Sequence, residues 1–367
     1  MKCQPKYIHK LMKIINKQFT LITPLKFDYK DLVDDKKNLK DMINEAYGLN
    51  GYGAAVIKNI PNFKEMRTKV LNNMFRLYKE PDYVKEKLTK KDVNDPIGWN
   101  EDEFYSPDGK KSKKFSSFFA RYPKETITYP KNPKLVEDST NVWPTTINNF
   151  NNDFLSINKY ISNALLGLIK QFDNFLVDKI SPNYSLYKDL NNNYVNTNRM
   201  IVYEPLDKFN IDVQNWDHWH TDFGILTSVT HPLYFDKNNN PVELPYSSFW
   251  VKNRYGKEFE CKYDSDELLV QIADSAFILT AGLIPTTPHS VKANNNCPKD
   301  LYRVNLVTFF ETNYNYEMKI PTNETFKEII EKDPLKYYYR HVESFKNGID
   351  YKEFTDLSLK YLLQSKK

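Results

Sequence analysis

The stretch HWHTDFGILTS (residues 218–228) places two of the chain's six histidines beside a carboxylate. Alternate residues of a strand share a face, so His220 and Asp222 point together. Such a pair offers one imidazole nitrogen and one carboxylate oxygen, and a third ligand must come from elsewhere. Of His9, His218, His231, His289 and His341, His289 stands out. It lies in AFILTAGLIPTTPHSV, between apolar, strand-like runs, 67 residues after Asp222 (289 − 222). Two imidazoles and one carboxylate with open positions are the donor set of a non-haem Fe(II) centre. Three protein ligands leave room for a bidentate 2-oxo acid and for dioxygen. A closed zinc site would use four ligands, preferably cysteines, and Cys3, Cys261 and Cys297 are all remote from this motif. His218 shares the face of His220 and is a rival ligand, otherwise a pocket or core residue. His231, before Pro232, reads as a turn residue.

A 2-oxo acid needs an anchor for its far carboxylate, and the planar fork of arginine suits it. Arg303 heads RVNLVTFF, after His289. Asn305 shares the face of Arg303 and could add an amide hydrogen bond. Tyr203, in RMIVYEP, could supply a phenol at the opposite wall. Trp216 and Trp219 read as core or pocket wall.

The elements that position these residues fall into two styles. The first half reads as strand and helix in alternation. FTLITPL opens as a strand, and the next helix is capped by Asp31 and carries Leu32, Leu39, Met42 and Ile43. AAVIKNI is a short strand, and FKEMRTKVLNNMFRLYKEP an amphipathic helix ended by Pro81. Residues 92–146 read as irregular. A long helix is predicted from Thr145 to before Pro182, with Ile147, Phe150, Phe154, Ile157, Ile161, Leu165 and Phe172 in one stripe. From about residue 195, short apolar strands alternate with turn clusters: RMIVYEP, ILTSVTHPLYF, SSFWVKN, ELLVQIA, AFILTAG and VNLVTFF. That spacing predicts a sandwich or jelly roll. The tail returns to helix through Phe326, Ile329, Ile330, Tyr351, Phe354, Leu357 and Tyr361.

Composition narrows the classes. The chain is 40% hydrophobic and 15% aromatic, enough for a sizeable core and too aromatic for disorder. A net charge of +5 is small for this length and predicts no nucleic-acid partner. The densest basic run, KKSKK (residues 110–114), reads as a solvated turn. No apolar run reaches the ~18 residues of a membrane span. Three dispersed cysteines predict a reducing, cytoplasmic setting rather than a disulfide framework. The amino-terminal segment lacks the apolar core of a secretory signal, and Leu11, Met12, Ile15 and Phe19 could form one face of a short helix. No protein partner is predicted.

These residues together resemble the isopenicillin N synthase-like Fe(II)/2-oxoglutarate dioxygenases. HTDFGILTSV is similar to the family's first metal motif, and VQIADSAFILTAGLIPTTPHSV to its second, with Asp274, Gly282 and His289 in matching places. Arg303 matches the arginine of its Arg-x-Ser motif. FTLITPLKF resembles its opening strand, GYGAAVIKNI its first Gly-aromatic strand, and NVWP (residues 141–144) the segment before its long helix. About residues 19–320 are covered. The resemblance implies mixed α and β structure, a double-stranded β-helix (jelly roll) core flanked by helices. Residues 1–145 would pack on the core, residues 146–320 would hold the long helix and the catalytic core, and residues 321–367 would add carboxy-terminal helices. It implies Fe(II), with 2-oxoglutarate and O2 as co-substrates and succinate and CO2 as products. It assigns the metal to His220, Asp222 and His289, the co-substrate carboxylate to Arg303, and a co-substrate contact to Tyr203. The expected outcome is hydroxylation or desaturation of a small molecule. The chain departs from the pattern at Asn305, where the family carries serine, at PLYF (residues 232–235), and in the loop NNNCPKD before Arg303.

Three other readings remain open. One is an oxidase of the same fold that uses Arg303 for its substrate's own carboxylate. Another is a nucleic-acid demethylase, but the arginine expected six residues after Arg303 is Phe309. The third is a catalytically degenerate binding protein.

Overall fold

Alternation decides which residues face the site. In a strand packed on both sides, one set of side chains meets each layer. The computed structural model describes residues 21–34, 36–90, 96–105, 111–124, 129, 131, 140–208, 215–293 and 296–364. The first half contains β1 (Leu21–Ile22), β2 (Leu25–Asp28), α1 (Tyr29–Val33), α2 (Lys40–Tyr47), β3 (Ala54–Lys58), α3 (Phe63–Lys79), α4 (Asp82–Leu88), β4 (Gly98–Tyr105), β5 (Lys111–Tyr122), α5 (Phe150–Leu176) and α6 (Leu186–Leu190). The second contains β6 (Tyr194–Tyr203), β7 (Asn215–His220), β8 (Leu226–Thr230), β9 (Leu233–Phe235), β10 (Pro241–Val242), β11 (Phe249–Lys252), β12 (Glu258–Cys261), β13 (Leu268–Ile272), α7 (Asp274–Leu279), β14 (His289–Lys292), β15 (Tyr302–Thr312), α8 (Phe326–Glu331) and α9 (Tyr351–Gln364).

Among the described residues, a smaller sheet runs β1-β12-β11-β14-β7. A larger one runs β2-β3-β13-β8-β15-β6-β5-β4, with β9 joining through β15 and β10 through β9. Both faces of the larger sheet are apolar, and they belong to different cores. Ala55 and Ile57, Met200 and Val202, Leu268 and Val270, and Val304 and Leu306 face a helical layer built on Phe154, Ile161, Leu165, Leu168 and Phe172 of α5. Their neighbours Ala54 and Val56, Ile201 and Tyr203, and Leu269 face Trp216, Phe249, Val251, Phe259 and Val291 on and beside the smaller sheet. The molecule is thus helix layer, large sheet, small sheet. The polar residues that interrupt the second set, Thr227, Gln271, Arg303 and Asn305, converge between the sheets.

Several expectations change. The helix predicted around residues 31–43 is two helices, capped by Asp28 rather than Asp31, because α1 ends at Val33. The long helix starts at Phe150, not Thr145. AFILTAG is not a strand. Its first half belongs to α7, which puts the small Ala276 and the bulky Phe277, Ile278 and Leu279 into the core on all sides. An element buried all round has no periodic signature to tell it from a buried strand. Residues 92–146 contain the hairpin β4–β5, whose second strand pairs with β6 from Phe115↔Tyr203 to Tyr122↔Asn196. Lys111 to Lys114 of the basic run begin β5 instead of forming a turn. His231 connects β8 and β9, but it is buried rather than solvated. It is 3% exposed, and its ring packs edge-on against Tyr263. The amino-terminal helix face, Cys3 and His9 lie outside the described residues. No helix among the described residues is long and apolar enough to cross a membrane.

Candidate metal centre

Strand pairing brings the two remote imidazoles together. His289, first residue of β14, is the register partner of His220, last residue of β7. Their rings lie 4.2 Å apart. Asp222 follows two residues after β7, held by its own carbonyl accepting from the Asp274 N–H at 2.8 Å. The result is one donor atom each from His220, Asp222 and His289, all within 4.8 Å of one another. Asp222 Oδ1 lies 3.8 Å from His220 Nε2, and Oδ2 3.6 Å from His289 Nε2.

The backbone selects the nitrogen that each ring presents. His220 Nδ1 lies 2.7 Å from the His218 carbonyl, and His289 Nδ1 lies 3.1 Å from the Thr287 carbonyl. A carbonyl only accepts, so Nδ1 carries the proton and Nε2 keeps its lone pair for a metal. Burial first, then the neighbouring His220, push the His289 imidazole down to about 4, which leaves it neutral near pH 7. At Asp222 burial opposes the charge, but His289 and His220, with bonds from Thr227 and Gln271, outweigh it and lower the pKa. Burial also opposes a charge on His220, yet Asp217 and Asp222 prevail and raise its pKa. The cluster therefore favours a positive charge at its centre, as a cation site must.

Two neighbours that the sequence reading missed fix the carboxylate. Thr227 Oγ1 donates to Asp222 Oδ2 at 2.7 Å, and Gln271 Nε2 donates to the same oxygen at 3.0 Å. Gln271 Nε2 also stands 3.1 Å from His289 Nε2, so a metal on that nitrogen must displace this second contact. A lone uncharged polar residue in LLVQI, an otherwise apolar strand, was the available signal for Gln271.

Arg303 and Tyr203 are register partners on β15 and β6. Arg303 is 1% exposed, with its guanidinium 5.1 Å from the Tyr203 ring and 5.9 Å from the Trp216 ring. Nη2 donates to the Ser247 carbonyl at 2.9 Å, while Nε and Nη1 have no hydrogen-bond partner among the described residues. A buried cation with orphaned donors fits a site for an anion. Asn305 Oδ1 accepts from Thr230 Oγ1 at 2.8 Å, and the residue lines the cleft beside Arg303. His218 does not join the triad. Its side chain is exposed, and its role is to offer its carbonyl to His220.

Two cavities meet at the triad. A small cleft of about 40 Å³ is lined by His220, Asp222, His289, Arg303, Asn305 and Tyr203. That is room for a few waters, so a 2-oxo acid must widen it. A larger cavity of about 510 Å³ opens on the other side of His220 and Asp222. Asn100, Phe119, Thr197, Arg199, Phe223 and Phe309 line it together with His220 and Asp222. Arg199 and Phe309 border both spaces.

No family model matches the chain. No curated protein matches it either. Solved structures do. The chain is similar to a full-length Neurospora crassa protein crystallised in complex with alpha-KG, at 16% identity over 94% of this chain and 98% of that one, with a TM-score of 0.67. The same Neurospora protein with alpha-KG and thymine gives 17% identity, 95% and 98% coverage and a TM-score of 0.63. A putative 2OG-Fe(II) oxygenase family protein from Caulobacter crescentus gives 16%, 94% and 99%, and 0.64. The chain thus shares the mixed α and β fold of 2-oxoglutarate/Fe(II) oxygenases along nearly its whole length.

Proposed function

We propose that this chain is an Fe(II)- and 2-oxoglutarate-dependent oxygenase of a small molecule. His220, Asp222 and His289 hold the iron, and Arg303 holds the distal carboxylate of the 2-oxo acid. One observation carries the reading: a His/Asp/His cluster borders both a small cleft, lined by a buried guanidinium with two unsatisfied donors, and a larger cavity. The two facing sheets read as a double-stranded β-helix, with the catalytic core in residues 146–320, residues 1–145 packed on it and helices after residue 320. The HTDFGILTSV and PHSV motifs favour the isopenicillin N synthase-like branch of that superfamily.

When bound, the iron supplies dioxygen activation, so that one oxygen atom enters the substrate while 2-oxoglutarate is oxidised to succinate and CO2. The chain's share is geometry. The carbonyls of His218 and Thr287 keep Nδ1 protonated and aim Nε2 at the metal. Thr227 and Gln271 hold Asp222 in one orientation. Arg303 offers Nε and Nη1 to a carboxylate, Asn305 adds its amide, and Tyr203 packs on the guanidinium to fix its plane. The small volume of the cleft leaves little room for water beside the reacting atoms.

The larger cavity sets the substrate class. Its lining combines aromatic rings with the amide of Asn100 and the guanidinium of Arg199, which suits a small, flat molecule with polar edges. The thymine in the Neurospora complex supports a pyrimidine base. The small net charge favours a free small molecule over a nucleic acid. Unpaired, buried Cys261 and Cys297 suit a reducing cytoplasm.

The test is aerobic incubation with Fe(II), 2-oxoglutarate and thymine, followed by mass spectrometry. Succinate should form together with an oxidised base, and His220→Ala should abolish both. Oxygen uptake without succinate would instead indicate an oxidase that does not use a 2-oxo acid.

A further inference from the structure

The cavity does not end where a single pyrimidine ring would. Its volume of about 510 Å³ falls among sites for drug-sized ligands, roughly 300–1,000 Å³. Where the wall does not also line the metal cleft, its character changes. There it is built by Glu311 at the end of β15, Tyr314 just after it, and Tyr351, Lys352, Thr355 and Asp356 of α9. Two polar pairs anchor this wall. Tyr351 Oη donates to Glu311 Oε1 at 2.8 Å, and Lys352 Nζ pairs with Asp356 Oδ1. The Lys352 residue is only 6% exposed, and its ammonium lies 5.5 Å from the Tyr314 ring. A lysine is almost never buried to that degree unless its charge is paired. Here its partner, Asp356, remains mostly exposed, so the pair spans from interior to surface.

Building on the pyrimidine reading above, we propose that the α9 wall recognises a hydroxyl-bearing substituent on the end of the substrate remote from the metal, with Lys352 as the specificity residue. The ligand class is a pyrimidine nucleoside. An ammonium donates to a hydroxyl, and the carboxylates of Glu311 and Asp356 accept from one. An anionic substituent is disfavoured in the same place. Glu311 and Asp356 carry two negative charges against the single positive charge of Lys352, so a nucleotide phosphate meets net repulsion. The wall thus selects for the sugar and against the phosphate.

The probes are thymine, thymidine and thymidine 5′-monophosphate, each titrated without oxygen into protein loaded with Fe(II) and 2-oxoglutarate, reading the shift of the visible charge-transfer band. Thymidine should bind about tenfold more tightly than either of the others, the worth of one charge-assisted hydrogen bond. Lys352→Met should bring thymidine to within about twofold of thymine while the Fe(II)–2-oxoglutarate band itself persists. Asp356→Asn, at a mostly exposed side chain, should narrow the gap between thymidine and its monophosphate, and it serves if Lys352→Met does not fold. Equal affinities for thymine and thymidine in the wild type, or a thymidine preference untouched by both variants, overturn the proposal. A band that responds to no pyrimidine removes the substrate reading and this inference with it. Absence of any band removes the oxygenase reading itself.

Discussion

Each side chain at the centre does one job, and neighbours define it. Asp222 has two oxygens facing two imidazoles, and Thr227 and Gln271 stop the carboxylate from turning. Thr227→Val, which keeps the shape and removes the 2.7 Å bond, should weaken Fe(II) binding about 10–100-fold by titration, with folding intact. Arg303 is a different case, because its value lies in what it does not bind. Arg303→Lys keeps the charge but loses the fork, so 2-oxoglutarate affinity should fall at least about tenfold while Fe(II) affinity holds. Unchanged 2-oxoglutarate binding would show that the carboxylate sits elsewhere. The types of these residues were legible in the sequence: His-x-Asp, a later histidine, and an arginine at a strand head. The supporting residues were not, because a threonine or glutamine within an apolar strand announces no particular partner. Tyr203 was legible as a wall residue, but its packing on the Arg303 guanidinium depends on a cross-strand register that no local pattern encodes.

Elements transmit position to the site. Gly53 precedes β3 with φ +71°, and its carbonyl accepts from Thr287 Oγ1 at 2.6 Å. Thr287 in turn orients His289. A Cβ at Gly53 would stand 2.3 Å from Thr287 Oγ1. Gly53→Ala should therefore cost about 1–3 kcal/mol in urea melts and also weaken Fe(II) binding, a pairing that simple backbone strain would not produce. The β8–β9 connection stores a pH dependence. Burial first, then the Arg67 charge, push the His231 imidazole down to about 3 in the folded chain. The unfolded chain protonates near pH 6.5. Between these values the unfolded state binds the extra proton, so the stability is complete above about pH 6.5 and is lost progressively as pH falls toward 3. Lowering the pH from 6.5 to 5 should cost wild type about 2 kcal/mol more than His231→Gln in urea melts. Parallel losses would refute the burial argument. Strands with clean alternation and helices with clean stripes were legible in the sequence. AFILTAG and the β4–β5 hairpin were not, the first for want of any polar face and the second for its charges.

The molecule holds its site by clamping a small sheet to a large one that is backed by α5, and by packing the tail onto the core so that α9 lines the larger cavity. The sandwich-like order was legible from strand spacing. The tail's attachment was not: beside its apolar contacts with the core, it is pinned by a buried polar cluster of residues far apart in the chain. Arg254 Nη1 donates to Asp333 Oδ2 at 2.6 Å, and Tyr339 donates to the same oxygen at 2.6 Å. Both members of the ion pair are almost wholly buried. Arg254→Met leaves a buried carboxylate unpaired and should cost about 3–5 kcal/mol by thermal or urea unfolding. Because α9 belongs to the same tail, that variant should also loosen the far wall of the substrate cavity, seen as faster hydrogen exchange at Tyr351 and Lys352. Loss of stability without that change would mean the two ends of the tail are fastened independently.

The central claim is that one cluster binds iron and that Arg303 beside it binds a 2-oxo acid. Anaerobic addition of Fe(II) and then 2-oxoglutarate to the purified protein, followed by visible spectroscopy, tests both halves in one cuvette. A charge-transfer band should grow with 2-oxoglutarate to saturation at one equivalent per chain in the wild type, and it should be absent in Asp222→Ala and strongly right-shifted in concentration in Arg303→Ala. A folded wild-type protein that develops no band at saturating 2-oxoglutarate, or an Arg303→Ala variant that titrates like wild type, would contradict it.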